Sequence, residues 1–140
     1  MENLHFEYEV AGNNFSQAGM ASDAVKSTLK KMGIASEDIR RVAIAMYEGE
    51  INMVIHGGGG VAVIDIFFDH IEIKLIDHGK GIENIELAMT PGYSTAEDEI
   101  RALGFGAGMG LPNMKKYADV LEIESEVGVG TTVYIRVDFH

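Results

Sequence analysis

Glu48, Asn52 and His56 recur every four residues in the middle of a 140-residue chain. On a helix that spacing stacks a carboxylate, an amide and an imidazole on one face. An amide oxygen is a hard, neutral ligand suited to Mg2+. A carboxylate one turn away could orient or deprotonate a hydroxyl or a water near the same ion. Zinc fits poorly, because the chain has no cysteine and this helix offers no second histidine at metal spacing. The three residues also read as a narrow solvent-facing stripe, although Glu50, off that line, could equally mark the wet side.

Two glycine-rich segments add to this chemistry. Asp77-His-Gly79-Lys-Gly81-Ile82 follows a strand pattern. A carboxylate at a strand end can accept a hydrogen bond from an exocyclic amine such as that of adenine; the other reading is a plain turn. Further on, Gly104, Gly106, Gly108 and Gly110 alternate and lead into a helix pattern. Successive bare amides before a helix N-terminus form an anion site, most often for phosphate; the other reading is a structural hinge. The pattern is not G-x-G-x-x-G, because Met109 and Leu111 occupy the sixth positions counted from Gly104 and Gly106. It is not a Walker loop either, since Gly79-Lys80 is followed by Gly81 rather than Ser or Thr.

The elements that must hold these residues follow from periodicity. His5 to Val10 alternates as a half-buried strand. Asn13, Asn14 and Ser16 are cap candidates for a helix running to about Met32, with Lys30 and Lys31 in its last turn and Gly33 as C-cap. A second helix starts at Ser36-Glu37-Asp38 and runs to about Ile55, carrying the polar stripe. Gly49 in its middle costs about 1 kcal/mol relative to alanine, so something should pack closely against it. Strands are expected at Val61 to Asp69 and Ile71 to Asp77 with a turn at Asp69-His70, then at Val120 to Ser125 and Thr131 to Phe139. Between them lie a short helix near Asn84 to Met89, a long loop, and a helix from Leu111 to Ala118 with Pro112 in its first turn. Hairpins and grouped helices predict an α+β two-layer sandwich: one domain over 1–140, a mostly antiparallel sheet with helices on one face.

Composition narrows the function classes. Eleven Lys and Arg against twenty-two Asp and Glu leave a net charge of −11, which argues against sequence-independent binding to nucleic acid or to anionic membranes. The absence of cysteine excludes disulfides, thiolate zinc sites and cysteine nucleophiles. No signal-peptide pattern opens the chain and no apolar run is long enough to span a bilayer, so a cytoplasmic address is expected. The run Gly57 to Gly60 is left without a functional account.

Taken together, Glu48-x-x-x-Asn52-x-x-x-His56, Asp77-x-Gly79-x-Gly81-Ile82, the glycine run and Gly130-Thr131-Thr132 resemble the GHKL ATP-binding superfamily. Within it, the chain is similar to anti-sigma-factor serine kinases, and Gly92-Tyr-Ser-Thr95 with Gly106 to Pro112 is similar to the stressosome-type switch kinases in particular. The resemblance spans roughly residues 5 to 137. It implies ATP and Mg2+ as cofactors, with Asn52 as the magnesium ligand and Glu48 as the base toward a substrate serine. It implies Asp77 and Thr131 at the adenine, Gly79, Gly81 and Ile82 in the nucleotide turn, and His56 beside the phosphates. Gly104, Gly106, Gly108, Met109 and Gly110 would form the phosphate loop, inside a flexible lid at about 89–110 from which Arg101 contacts the terminal phosphate. The implied partners are an antagonist (STAS-type) protein substrate, a sigma factor or similar regulator, and a second copy in a homodimer. The alternatives are a nucleotide-dependent binding switch with little catalysis and a lone histidine-kinase-type ATPase domain. The chain departs from the family pattern in a longer glycine run, a longer lid and Lys80 inside the Asp77 turn.

Overall fold

The computed structural model describes residues 3–12, 15–55, 58–79, 81–82, 89 and 110–140. Five strands form one sheet: β1 (Leu4–Ala11), β2 (Gly59–Ile66), β3 (His70–Asp77), β4 (Val120–Glu126) and β5 (Gly130–Asp138). Their order is β1-β2-β3-β5-β4, and every neighbouring pair is antiparallel. Among the described residues, three helices, α1 (Met20–Lys31), α2 (Ser36–Ile55) and α3 (Gly110–Tyr117), complete the expected α+β sandwich.

Alternation decides which sheet face is covered. Ala62, Ile64 and Ile66 of β2, Ile71, Ile73 and Leu75 of β3, and Val133, Ile135 and Val137 of β5 are buried on one face. They meet Val42, Ala45, Met46, Met53 and Val54 of α2, Val25 and Leu29 of α1, and Met114 of α3 in a single core. Each fully buried aliphatic side chain there contributes about 1.5–3 kcal/mol over its exposed state. The central helix α2 packs against α1 on one side and α3 on the other. Gly49 is the notch in α2: a methyl group there would collide with Leu75 and lie 3.2 Å from the Met114 sulfur. The close packing expected at that glycine is present.

Three local expectations are corrected. The first helix does not start at a Ser or Asn cap. A 3-10 turn, Phe15–Gln17, comes first, and α1 begins after Gly19, whose own position supplies no side-chain cap. The cap comes from α2 instead. The Glu50 carboxylate accepts the amides of Gly19, Ala21 and Ser22 at 2.9, 3.2 and 2.9 Å, and the Ser22 hydroxyl at 2.7 Å. Glu50 therefore does not mark the wet side of α2; it is 2% exposed, with the positive end of α1 as its partner. Finally, β2 ends at Ile66 rather than Asp69, because the Phe67 amide bonds the His70 carbonyl and closes the turn over residues 67–69. The C-terminal end of α1 is as expected: Gly33 is left-handed, and the Gly33 and Ile34 amides bond the Lys30 and Leu29 carbonyls. Asn13, Asn14 and the helix near Asn84 fall outside the described residues, save Met89, which stands in a turn.

Candidate functional site

Glu48 and Asn52 lie one turn apart on α2, both half-buried. The helix places them because its other faces are committed to the core, as Gly49, Met53 and Val54 show. The Met114 sulfur approaches Gly49, and the neighbouring Asn113 side chain hydrogen-bonds the Glu48 carboxylate. Burial pushes the Glu48 carboxyl above its ordinary pKa, and the Asn113 bond partly offsets that rise. A carboxylate held this way is a stronger proton acceptor than an exposed one. His56 lies outside the described residues.

The second part of the site is at the end of β3. Asp77 is its last residue, paired with Gly60 of β2 and Thr131 of β5. Its Oδ1 accepts the Gly79 amide at 2.9 Å and the Thr131 amide at 3.2 Å. Gly60 and Gly130 flank it. A Cβ on Gly60 would collide with the Ile76 carbonyl, and one on Gly130 with the Asp77 carbonyl. Gly60, the last glycine of the run that enters β2, thus has a physical account: the strands beside Asp77 approach too closely there for a side chain. Gly81 is confined in the same way by the Glu126 carbonyl and the Val127 Cα, at 2.5 and 2.9 Å from where a Cβ would stand.

Ser125 joins these pieces. It accepts the Ile82 amide at 2.7 Å and lies 2.8 Å from the Thr131 Oγ1. Sequence reading missed it. The available signal was a small polar residue following Leu121 and Ile123 on the inward face of β4. Asn113 and Glu50 were also missed as partners, since both contacts join residues far apart in the chain.

The connection of α2 to β2 brings the two parts to one end of the molecule. The helix ends at Ile55, and Gly60, five residues further on, already pairs with Asp77. Asn52, Asp77, Gly79, Gly81, Ile82 and Thr131 are therefore near-neighbours in topology. Gly110 opens α3, whose Asn113 touches Glu48. Lys80, Arg101, Gly104, Gly106, Gly108 and Met109 lie outside the described residues, as does the lid apart from Met89 and Gly110.

This donor set suits a magnesium nucleotide. Asn52 offers a neutral amide oxygen, Asp77 a carboxylate at a strand end, and α3 a helix N-terminus. Among the described residues no group of three or more His, Cys, Asp or Glu is placed to hold a metal. An ion here would take most of its ligands from phosphate oxygens and water, as Mg2+ at nucleotide sites does. Among the described residues, no helix is long and apolar enough to cross a membrane.

Comparison with known proteins shows the family and the fold. Residues 37–140 match the family model described as histidine kinase-, DNA gyrase B- and HSP90-like ATPase. An anti-sigma F factor of Clostridium acetobutylicum is 35% identical over 97% of this chain and 92% of its own length. One from Thermoanaerobacter sp. strain X514 is 35% identical over 95% and 90%. The mycobacterial sensor histidine kinase MprB shares the fold, with a TM-score of 0.53 at 15% identity, covering 98% of this chain and 99% of that one.

Proposed function

The chain belongs to the histidine kinase-, DNA gyrase B- and HSP90-like ATPase family, and from that premise we propose that it is an ATP-dependent protein-serine kinase of the anti-sigma-factor type. The observation that carries the catalytic part is Glu48. It is half-buried, raised in pKa, hydrogen-bonded by Asn113 and one turn from Asn52.

In this reading Asp77 accepts the adenine amino group, with Thr131 beside it, and the Gly79-Gly81-Ile82 turn closes the base pocket. Asn52 holds Mg2+, and His56 stands by the phosphates. Gly104, Gly106, Gly108, Met109 and Gly110 present their amides to the phosphates, and Arg101 reaches the terminal one from a lid at about 89–110. MgATP supplies the transferable phosphoryl group and charge neutralisation. Glu48 takes the proton of the substrate serine as its oxygen bonds phosphorus and ADP leaves. One domain over 1–140 carries all of this. The partners are an antagonist (STAS-type) protein bearing the serine, a sigma factor, and a second copy of the chain, all in the cytoplasm. Support for the partners comes from the relatives named anti-sigma F factor.

The test is transfer of labelled γ-phosphate from ATP to an antagonist protein of the sigma F system. Glu48→Ala should bind ATP as the wild type does and transfer nothing above background. Transfer by Glu48→Ala at the wild-type rate would remove Glu48 as base. Binding without transfer by the wild type would make the chain a nucleotide-dependent switch.

A further inference from the structure

Ser125, the next-to-last residue of β4, faces Thr131 across the β4–β5 ladder. Its Oγ accepts the Ile82 amide at 2.7 Å, lies 2.8 Å from the Thr131 Oγ1, and lies 3.2 Å from the Gly130 carbonyl oxygen. A serine hydroxyl has one proton and two lone pairs. The Ile82 amide occupies one lone pair. The three contacts are all hydrogen bonds at once in one arrangement only: Ser125 donates to the Gly130 carbonyl, and Thr131 donates to Ser125. The Thr131 hydroxyl, 8% exposed, then offers only lone pairs on its remaining side. Asp77 is joined to Thr131 through the Thr131 amide, and an ionised carboxylate is likewise acceptor-only.

We propose that Ser125 is a positioning residue that fixes the polarity of the Thr131 hydroxyl, so that the pocket beside Asp77 selects a 6-amino purine over a 6-oxo purine. The inference rests on the reading of Asp77 and Thr131 as the base pocket. A 6-amino group brings protons to a row of acceptors. A 6-oxo group brings one more acceptor, and the groups facing it are left desolvated and unpaired. Without the Ser125 hydroxyl, Thr131 is free to turn its proton outward and donate to a 6-oxo group.

The test is calorimetric titration of the full chain with ATP and with inosine triphosphate, which carries a 6-oxo group and an N1 proton where adenine has a 6-amino group and a bare N1. The wild type should prefer ATP by about 100-fold or more, in the range that polar-group discrimination reaches. In Ser125→Ala that ratio should fall about tenfold or more. Ser125→Thr, which keeps the hydroxyl, should retain it. An unchanged ratio in Ser125→Ala overturns the inference and leaves the base pocket standing. A wild type that binds neither nucleotide removes the base pocket, and this inference with it. Should Ser125→Ala not fold, proton NMR of the wild type decides. A slowly exchanging Thr131 hydroxyl proton with a cross-peak to the Ser125 β-protons supports the arrangement, and a fast-exchanging one overturns it.

Discussion

The Glu50 carboxylate binds Ser22 twice, through its amide at 2.9 Å and its hydroxyl at 2.7 Å, and so ties the first turn of α1 to the middle of α2. The same group takes the Gly19 and Ala21 amides, which no cap residue of α1 satisfies. Glu50→Ala leaves three buried donors of the first turn, and the serine hydroxyl, without their acceptor. The expected loss of stability is roughly 3 kcal/mol. Urea unfolding measures it, and hydrogen exchange should show lost protection at Ala21 and Ser22. Glu50→Gln, which keeps one acceptor oxygen, should lose less.

Gly49→Ala sets two effects against each other. Removing a mid-helix glycine is worth about 1 kcal/mol in favour of the variant. Forcing a methyl against Leu75 and Met114 costs about 1–3 kcal/mol. Both neighbours are buried, at 1% and 0% exposed, so neither has room to withdraw. The variant should melt at a lower temperature than the wild type; a higher one would mean that the core relaxes freely.

Glu48 links function to stability with a definite sign. Its folded-state pKa is raised, first by burial, with the Asn113 bond opposing. Between the unfolded and folded values the folded chain binds more protons than the unfolded one, so stability falls as pH rises through that window. Above it the cost of the charge persists. Glu48→Gln should therefore be more stable than the wild type near neutral pH. That advantage should vanish below the ordinary carboxyl range. Denaturant midpoints at the two pH values give the comparison.

Glu72 behaves in the opposite way. The Tyr134 hydroxyl donates to it at 2.7 Å and, with His70, holds its carboxyl below the usual range. Burial and this bond push the Tyr134 phenol up to about 12. A depressed carboxyl contributes stability above its unfolded pKa and loses it as pH falls through the folded value. Tyr134→Phe should lower stability near neutral pH and flatten its dependence on acid. A titration of unfolding midpoints from neutral to acid pH checks both.

The alternation of β1 to β5 and the length of α2 were legible in the sequence, because period-2 and period-3.6 patterns record burial directly. The Glu48–Asn52 spacing and the Asp77 turn were legible too, since each lies within one element and its flanking loop. What failed was long-range. Glu50 caps a helix about thirty residues earlier, and no local pattern announces that. Asn113 meets Glu48 from α3, more than sixty residues away in the chain, and Ser125 reaches Ile82 from β4 beside the β4–β5 pairing. The closing turn at residues 67–69 was misplaced because the alternation of β2 continues beyond the last ladder bond.

The most direct measurement of the central claim is calorimetric titration of MgATP into the wild type and Asp77→Asn. The variant keeps an Oδ1 acceptor for the Gly79 and Thr131 amides, so the local fold is preserved, but it replaces the other carboxylate oxygen with a donor. The wild type should bind with saturation and in a magnesium-dependent way, and Asp77→Asn should bind at least about tenfold more weakly. Equal affinity in the two proteins, or no binding by the wild type, would contradict the assignment of this end of the sheet as the nucleotide site.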